Sequence, residues 1–180
     1  GTRLACAEML RGGITCFHDM YSYPEAAGRA ALAAGMRAAL GIIVIEMPSA
    51  YAADAQDYLS KGLATRDGLK DESLLTFCIA PHAPYTVGDK TFERIAMLQG
   101  ELDLPLHIHL HETRDEIESS LARHGARPLA RLQGLGLVDA NLIAVHAVHV
   151  TEQEADLLAE KGCHVAHCPS SNLKLASGIA

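Results

Sequence analysis

LHIHLHE, at residues 106–112, sets histidines at every second position through a short apolar run and closes on a carboxylate. A period of two is the signature of a strand, so Leu106–Leu110 reads as one, with His107, His109 and His111 alternating through and beyond it. Outward from this strand, short apolar and β-branched runs recur at Ile14–His18 (ITCFH), Arg37–Ile45 (RAALGIIVI), Leu74–Ile79 (LLTFCI), Leu142–His146 (LIAVH) and Cys163–His167 (CHVAH). Segments of helical period lie between them: Glu25–Ala34, Ala52–Thr65, Lys90–Glu101, Asp115–Arg123, Pro128–Leu132 and Glu152–Lys161. Thr151 is a suitable N-cap, and Gly35 and Gly162 suitable stops. Strands alternating with helices imply a parallel sheet joined by crossover helices, an α/β fold.

Six such units are too few to close an eight-stranded barrel, and the chain has none of the glycine-rich phosphate turns that open a dinucleotide-binding sheet. The pattern alone leaves a barrel fragment and an open sheet both standing. The histidines carry the argument further. In parallel α/β domains the chemistry gathers where strands end, because the loops there converge on one face. Of the ten histidines, His18, His82, His107, His109, His111, His146 and His167 fall at or near strand ends. Imidazole is the commonest metal-ligand side chain and a proton carrier near neutral pH, so this concentration points to a site.

Each histidine also has a plainer reading, because a lone strand-end imidazole is most often only hydrogen-bonded to a neighbouring loop. His18 and His107 are read that way, His124 as a surface residue, and His149 and His164 as packing or solvent-facing. His109 and Glu112 are different: a histidine at a strand end with a carboxylate three residues later puts a ligand and a proton shuttle within reach of one activated water. Asp115, Glu116 and Glu118 read as a solvated first helical turn, where negative charge is favoured. In Pro81-His82-Ala83-Pro84-Tyr85 the prolines stiffen the backbone, which suits a fixed turn and a rigidly held binding group equally. Asn172 and Lys174 read as anchors of their loop.

Composition narrows the function classes. The 180 residues are 49% hydrophobic, enough for one domain with a core, and no apolar run approaches the roughly 20 residues needed to cross a bilayer. A net charge of -7 with dispersed lysines and arginines offers no basic patch for nucleic acid. The five cysteines form no CxxC, which argues against a disulfide framework and for a reducing, cytoplasmic setting. GTRLACAEMLRGG at the start has helical spacing without the features of a signal peptide, and NLKLASGIA at the end runs on without a closing helix. Both ends are expected to be arbitrary cuts.

HLHET at 109–113, APHAPYTV at 80–87, AVHAVHV at 144–150 and HCPSSNLKLASGIA at 167–180 resemble the amidohydrolase superfamily, in particular its 5-methylthioadenosine/S-adenosylhomocysteine deaminase and chlorohydrolase-like branch. AEMLRGGITCFHDMY near the start resembles the family's first helix and second strand. The resemblance implies a partial (β/α)8 TIM barrel of the metal-dependent hydrolase type. Residues 1–180 would be the central part of one barrel domain, strands two to seven, with strand one, strand eight and a small β-sandwich outside the chain.

Carried over residue by residue, the resemblance makes His109 a metal ligand, Glu112 the proton shuttle and a contact to the substrate base, His146 the group that orients the hydrolytic water, and His82 a substrate contact. It implies one divalent metal ion, zinc or iron, whose other ligands lie outside the chain, so the 180-residue polypeptide alone is expected to be inactive. The implied reaction is hydrolytic deamination of an adenosine-like purine nucleoside: 5-methylthioadenosine, adenosine or S-adenosylhomocysteine. GIIVIEMPSAYA at 41–52 holds no arginine of the kind that grips an amino-acid tail, which favours the first two. A chlorohydrolase, a deaminase of guanine or a triazine, and a non-catalytic barrel scaffold are the alternatives. The small-molecule substrate is the expected partner, without nucleic acid or membrane, and a homo-oligomeric full-length protein is compatible with this reading.

Overall fold

Proline opens a helix well because its ring presets φ, and glycine closes one well because it enters the left-handed region without strain. The first long helix of the chain uses both, as a computed structural model describing residues 1–180 shows. The chain divides into two compact units, Gly1–Ala80 and Pro81–Ala180.

In the first unit the order is α1 (Thr2–Arg11), β1 (Cys16–Asp19), α2 (Pro24–Ala34), β2 (Arg37–Val44), α3 (Ala55–Leu69) and β3 (Leu75–Pro81), which ends at the boundary between the units. Pro24 opens α2 and Gly35 closes it at φ 66°. β1 and β2 pair in parallel, with Cys16 opposite Arg37 and Asp19 opposite Leu40. Leu40, Ile42 and Val44 of β2 are fully buried. Helices reach β2 closely because they meet it with glycine. A Cβ on Gly28 of α2 would lie 2.8 Å from Leu40 Cδ1, and one on Gly62 of α3 would overlap Ile42.

Several boundaries shift by a few residues from expectation, and at two of them the hydrogen bonds show the local reason. β1 starts at Cys16 and not Ile14, because Ile14 N–H still donates to Met9 O at 2.9 Å and finishes the turn after α1. α3 starts at Ala55 and not Ala52, because Asp54 is its N-cap, accepting from Asp57 N.

The second unit continues with α4 (Asp89–Leu102), β4 (Leu106–Leu110), α5 (Arg114–His124), α6 (Pro128–Gly134), β5 (Leu142–His146), α7 (Glu152–Glu160), β6 (His164–Ala166) and α8 (Pro169–Lys174). β4 and β5 are parallel, His109 opposite Val145 and Leu110 opposite His146, and β5 pairs in parallel with β6. Leu106, Ile108, Leu110, Leu142 and Ala144 from the strands are fully buried, as are Phe92, Ile95, Leu129 and Leu132 from the helices. Thr151 caps α7 in a reciprocal capping box with Glu154, worth about 1 kcal/mol. α8 occupies a stretch whose Pro-Ser-Ser-Asn composition suggested a loop. No helix is long and apolar enough to cross a membrane.

Candidate active site

The second unit gathers His82, His109, Glu112 and His146, and the backbone explains how. A regular pleat would put His146 on the face of its register partner Leu110, away from His109. His146 instead has a left-handed φ of 74°, followed by Ala147 at 49°. This departure turns its ring to stack on His109, with centroids 5.3 Å apart and planes 28° from parallel. Left-handed backbone at non-glycine residues costs of order 1–3 kcal/mol each and concentrates at functional sites. β4 is followed by the same device, since His111 has φ 56°.

The His82 carbonyl holds His109 twice, accepting from His109 N at 3.0 Å and from His109 Nδ1 at 2.8 Å. A carbonyl only accepts, so Nδ1 carries the proton and Nε2 presents a bare lone pair, the tautomer a metal ligand needs. Burial lowers the proton affinity of His109, outweighing the His82 carbonyl and Glu112, which pull the other way. His109 is thus suited to the neutral, ligating form. Its chemistry fits a divalent ion bound at Nε2.

His82 follows β3. Its Nδ1 lies 3.1 Å from Thr86 Oγ1, its ring is 5.0 Å from that of His109, and Tyr85 meets it edge-on at 6.0 Å. Burial depresses its pKa, with His109 adding to the effect. Glu112 lies between β4 and α5 and brings Oε2 to 3.6 Å from His146 Nε2. His146 Nδ1 donates to Asn172 Oδ1 at 2.7 Å, so Nε2 also faces Glu112 as a lone pair. Two acceptors at that separation form a place to receive a proton.

Several residues read as ordinary turn out to hold this arrangement. Glu116 does not lie on a solvated turn: it is 5% exposed, and its two carboxylate oxygens accept from His111 N at 3.0 Å and Glu112 N at 2.8 Å. The pattern Thr113-Arg-Asp-Glu116 is the sequence signal that marks such a backward-reaching carboxylate. Asn172, 1% exposed, is more than a loop anchor, because it fixes the His146 tautomer. His111 is fully buried: its Nε2 accepts from Leu129 N at 3.1 Å, and its Nδ1 lies 3.5 Å from Glu154 Oε2. Glu154 is itself paired with Arg127 at 2.7 Å. His18 Nε2 lies 2.9 Å from Cys78 Sγ on β3. His149 bonds the Ser177 carbonyl at 2.8 Å.

The chain matches the amidohydrolase family over residues 1–180. It is 48% identical over 179 residues to the 5-methylthioadenosine/S-adenosylhomocysteine deaminase of Saccharophagus degradans, covering 99% of this chain and 40% of that protein. The protein of the same name from Aquifex aeolicus is 38% identical, with 100% and 42% covered. The chain therefore spans about 40% of the length of such relatives. A crystal structure of an adenosine deaminase from Xanthomonas campestris with bound zinc superposes with a TM-score of 0.96 at 47% identity, over 99% of this chain and 41% of that one. An atrazine chlorohydrolase from Arthrobacter aurescens shares the fold, with a TM-score of 0.87 at 21% identity over 99% and 44%. The strands β1–β6 are accordingly part of a (β/α)8 barrel of this type. With its whole length matched and its relatives alike in name and fold, the chain belongs to the amidohydrolase family of metal-dependent hydrolases.

Proposed function

We propose that residues 1–180 supply strands two to seven of a barrel that hydrolytically deaminates adenosine-like purine nucleosides, with 5-methylthioadenosine and adenosine as the leading substrates. The observation that supports this most is His109, its Nδ1 tied to the His82 carbonyl and its Nε2 bare, beside the facing acceptors of Glu112 and His146. The similar proteins named as deaminases of these nucleosides point the same way.

His109 Nε2 would hold a divalent metal, zinc by the example of the Xanthomonas campestris protein, which when bound supplies the Lewis acidity that makes water nucleophilic near neutral pH. The remaining work falls to side chains of this chain. Glu112 Oε2 takes a proton from the attacking water, and the facing His146 Nε2, its tautomer set by Asn172, orients that water and shares the proton. Attack forms a C–O bond at the amine-bearing ring carbon. Glu112 then returns the proton to the amine as the C–N bond breaks, and ammonia leaves. His82, stiffened by Pro81, Pro84 and the Thr86 hydroxyl, contacts the nucleoside. The free cysteines suit a reducing cytoplasm.

The test is ammonia release by the full-length zinc-loaded protein from 5-methylthioadenosine, adenosine and S-adenosylhomocysteine, with a chlorotriazine in parallel. Turnover of a nucleoside, abolished in Glu112→Ala, is the expected result. Chloride release without nucleoside turnover would replace this reading with a dehalogenase, and no turnover on any of them would leave a scaffold.

A further inference from the structure

Glu116 is a buried carboxylate for which the reaction above has no use. Burial pushes its pKa up, against the N–H groups of His111, Glu112 and Thr113, which pull it down. Capping α5 accounts for only part of it: Thr113 Oγ1 accepts from Glu116 N at 3.2 Å in the ordinary N-cap manner, and the Thr113 N–H draws on the carboxylate in return. The side chain also reaches back beyond the helix. His111, left-handed at φ 56°, turns its own N–H and that of Glu112 toward one point. Consecutive N–H groups converging in this way form a nest, a concavity that binds anions. Here the nest is filled from within the chain, one Glu116 oxygen to each N–H, at 3.0 and 2.8 Å.

We propose that Glu116 is a positioning residue: by gripping the His111 and Glu112 amides together, it sets the direction in which Glu112 leaves β4 and so holds the Glu112 carboxylate against His146. This rests on the reading of Glu112 as the proton carrier. A carboxylate is the side chain that accepts from both amides at once. A carboxamide of the same shape has one acceptor and must turn its NH2 toward the other amide, which pushes that amide away. The nest then opens, and Glu112 shifts while the substrate and metal contacts of His82 and His109 stay in place.

The experiment uses the full-length zinc-loaded protein with 5-methylthioadenosine. Glu116→Gln lowers kcat by roughly tenfold or more, since a misplacement near 1 Å costs about a hundredfold, and leaves KM within about twofold and the zinc content unchanged. Introduced into Glu112→Gln, it lowers the residual rate no further, because its effect passes through Glu112. Should Glu116→Gln fail to fold, Glu116→Asp, one methylene too short to span both amides, is measured against the same expectations. A kcat within about twofold of wild type, a loss that appears in KM or in zinc content, or an additive loss in the double variant each overturns the positioning role while Glu112→Gln keeps only its low residual rate. A Glu112→Gln protein that keeps its activity overturns the proton-carrier reading, and the positioning role with it.

Discussion

Arg131 tests how the loop that carries His82 is held. Its guanidinium, 8% exposed, donates from Nη1 to Pro84 O at 2.5 Å, from Nη2 to Val87 O at 3.0 Å and from Nε to Asp89 Oδ1 at 2.8 Å, and lies 5.2 Å over the Phe92 ring. These partners differ in what their loss costs. Asp89 has a side chain 54% exposed, so its ion pair is screened by water and contributes about 1 kcal/mol at most. Pro84 and Val87 are buried, and each carbonyl left without a donor costs about 1–3 kcal/mol. Arg131→Met, which keeps the stem and removes the fork, is therefore expected to destabilise by about 3–5 kcal/mol, mostly through the carbonyls. Arg131→Lys keeps the charge, but a single ammonium cannot serve both carbonyls in this geometry, and it loses at least about 2 kcal/mol. Asp89→Asn loses under about 1 kcal/mol. Urea unfolding of the full-length protein, with the slope checked for constancy, measures all three. If Arg131→Lys matched wild type while Asp89→Asn cost as much as Arg131→Met, the ion pair would be the working contact and the reasoning would fail.

Asn172→Leu removes the acceptor that fixes the His146 tautomer, and we expect kcat to fall about 10–100-fold with metal content unchanged; steady-state kinetics with zinc analysis checks this, and an unaltered kcat counts against the tautomer argument. Gly41→Ala would place a Cβ 2.6 Å from Asp19 O and 2.8 Å from Ala80 Cβ, both on strands that cannot yield, so a loss of about 1–3 kcal/mol should appear as a lower Tm. His111 contributes to acid stability. Burial, against the pull of Glu154, holds its pKa down to about 4 from an ordinary 6.5, so between these values the unfolded chain binds a proton that the native state refuses. Stability from this group is full above about pH 6.5 and falls as the pH drops toward 4, by at most about 3 kcal/mol. His111→Gln, which keeps an acceptor for Leu129 N but cannot titrate, should flatten the decline in Tm between pH 7 and 5, and an undiminished decline would exonerate His111.

The sequence made the strands and most of the site legible because both are written in local pattern. Leu106–Leu110 and Leu142–His146 came out at their predicted bounds, since period two and apolar content are all a buried parallel strand requires. His109 and Glu112 were visible for the same reason, as polar residues at the end of such a run. The reorientation of His146 was not, because a φ of 74° outside glycine leaves no mark on composition. Glu116 carries the Thr-x-x-Glu spacing of a helix cap, but that spacing does not tell it from an acidic residue on a solvated first turn. Its burial depends on the nest made by His111, a property of backbone shape that reaches back from the helix to the strand end. Asn172 needed a contact 26 residues away in sequence, beyond the range of any periodic reading.

Whether these residues form one metal-hydrolase site with His109 as a ligand is decided by crystallising the full-length protein with zinc and locating the metal from its anomalous scattering. A single strong peak is expected about 2.0–2.1 Å from His109 Nε2, with Glu112 and His146 beside it and His109 Nδ1 still on the His82 carbonyl. A peak away from His109, or a His109 ring turned so that Nε2 donates to the protein, would contradict that assignment.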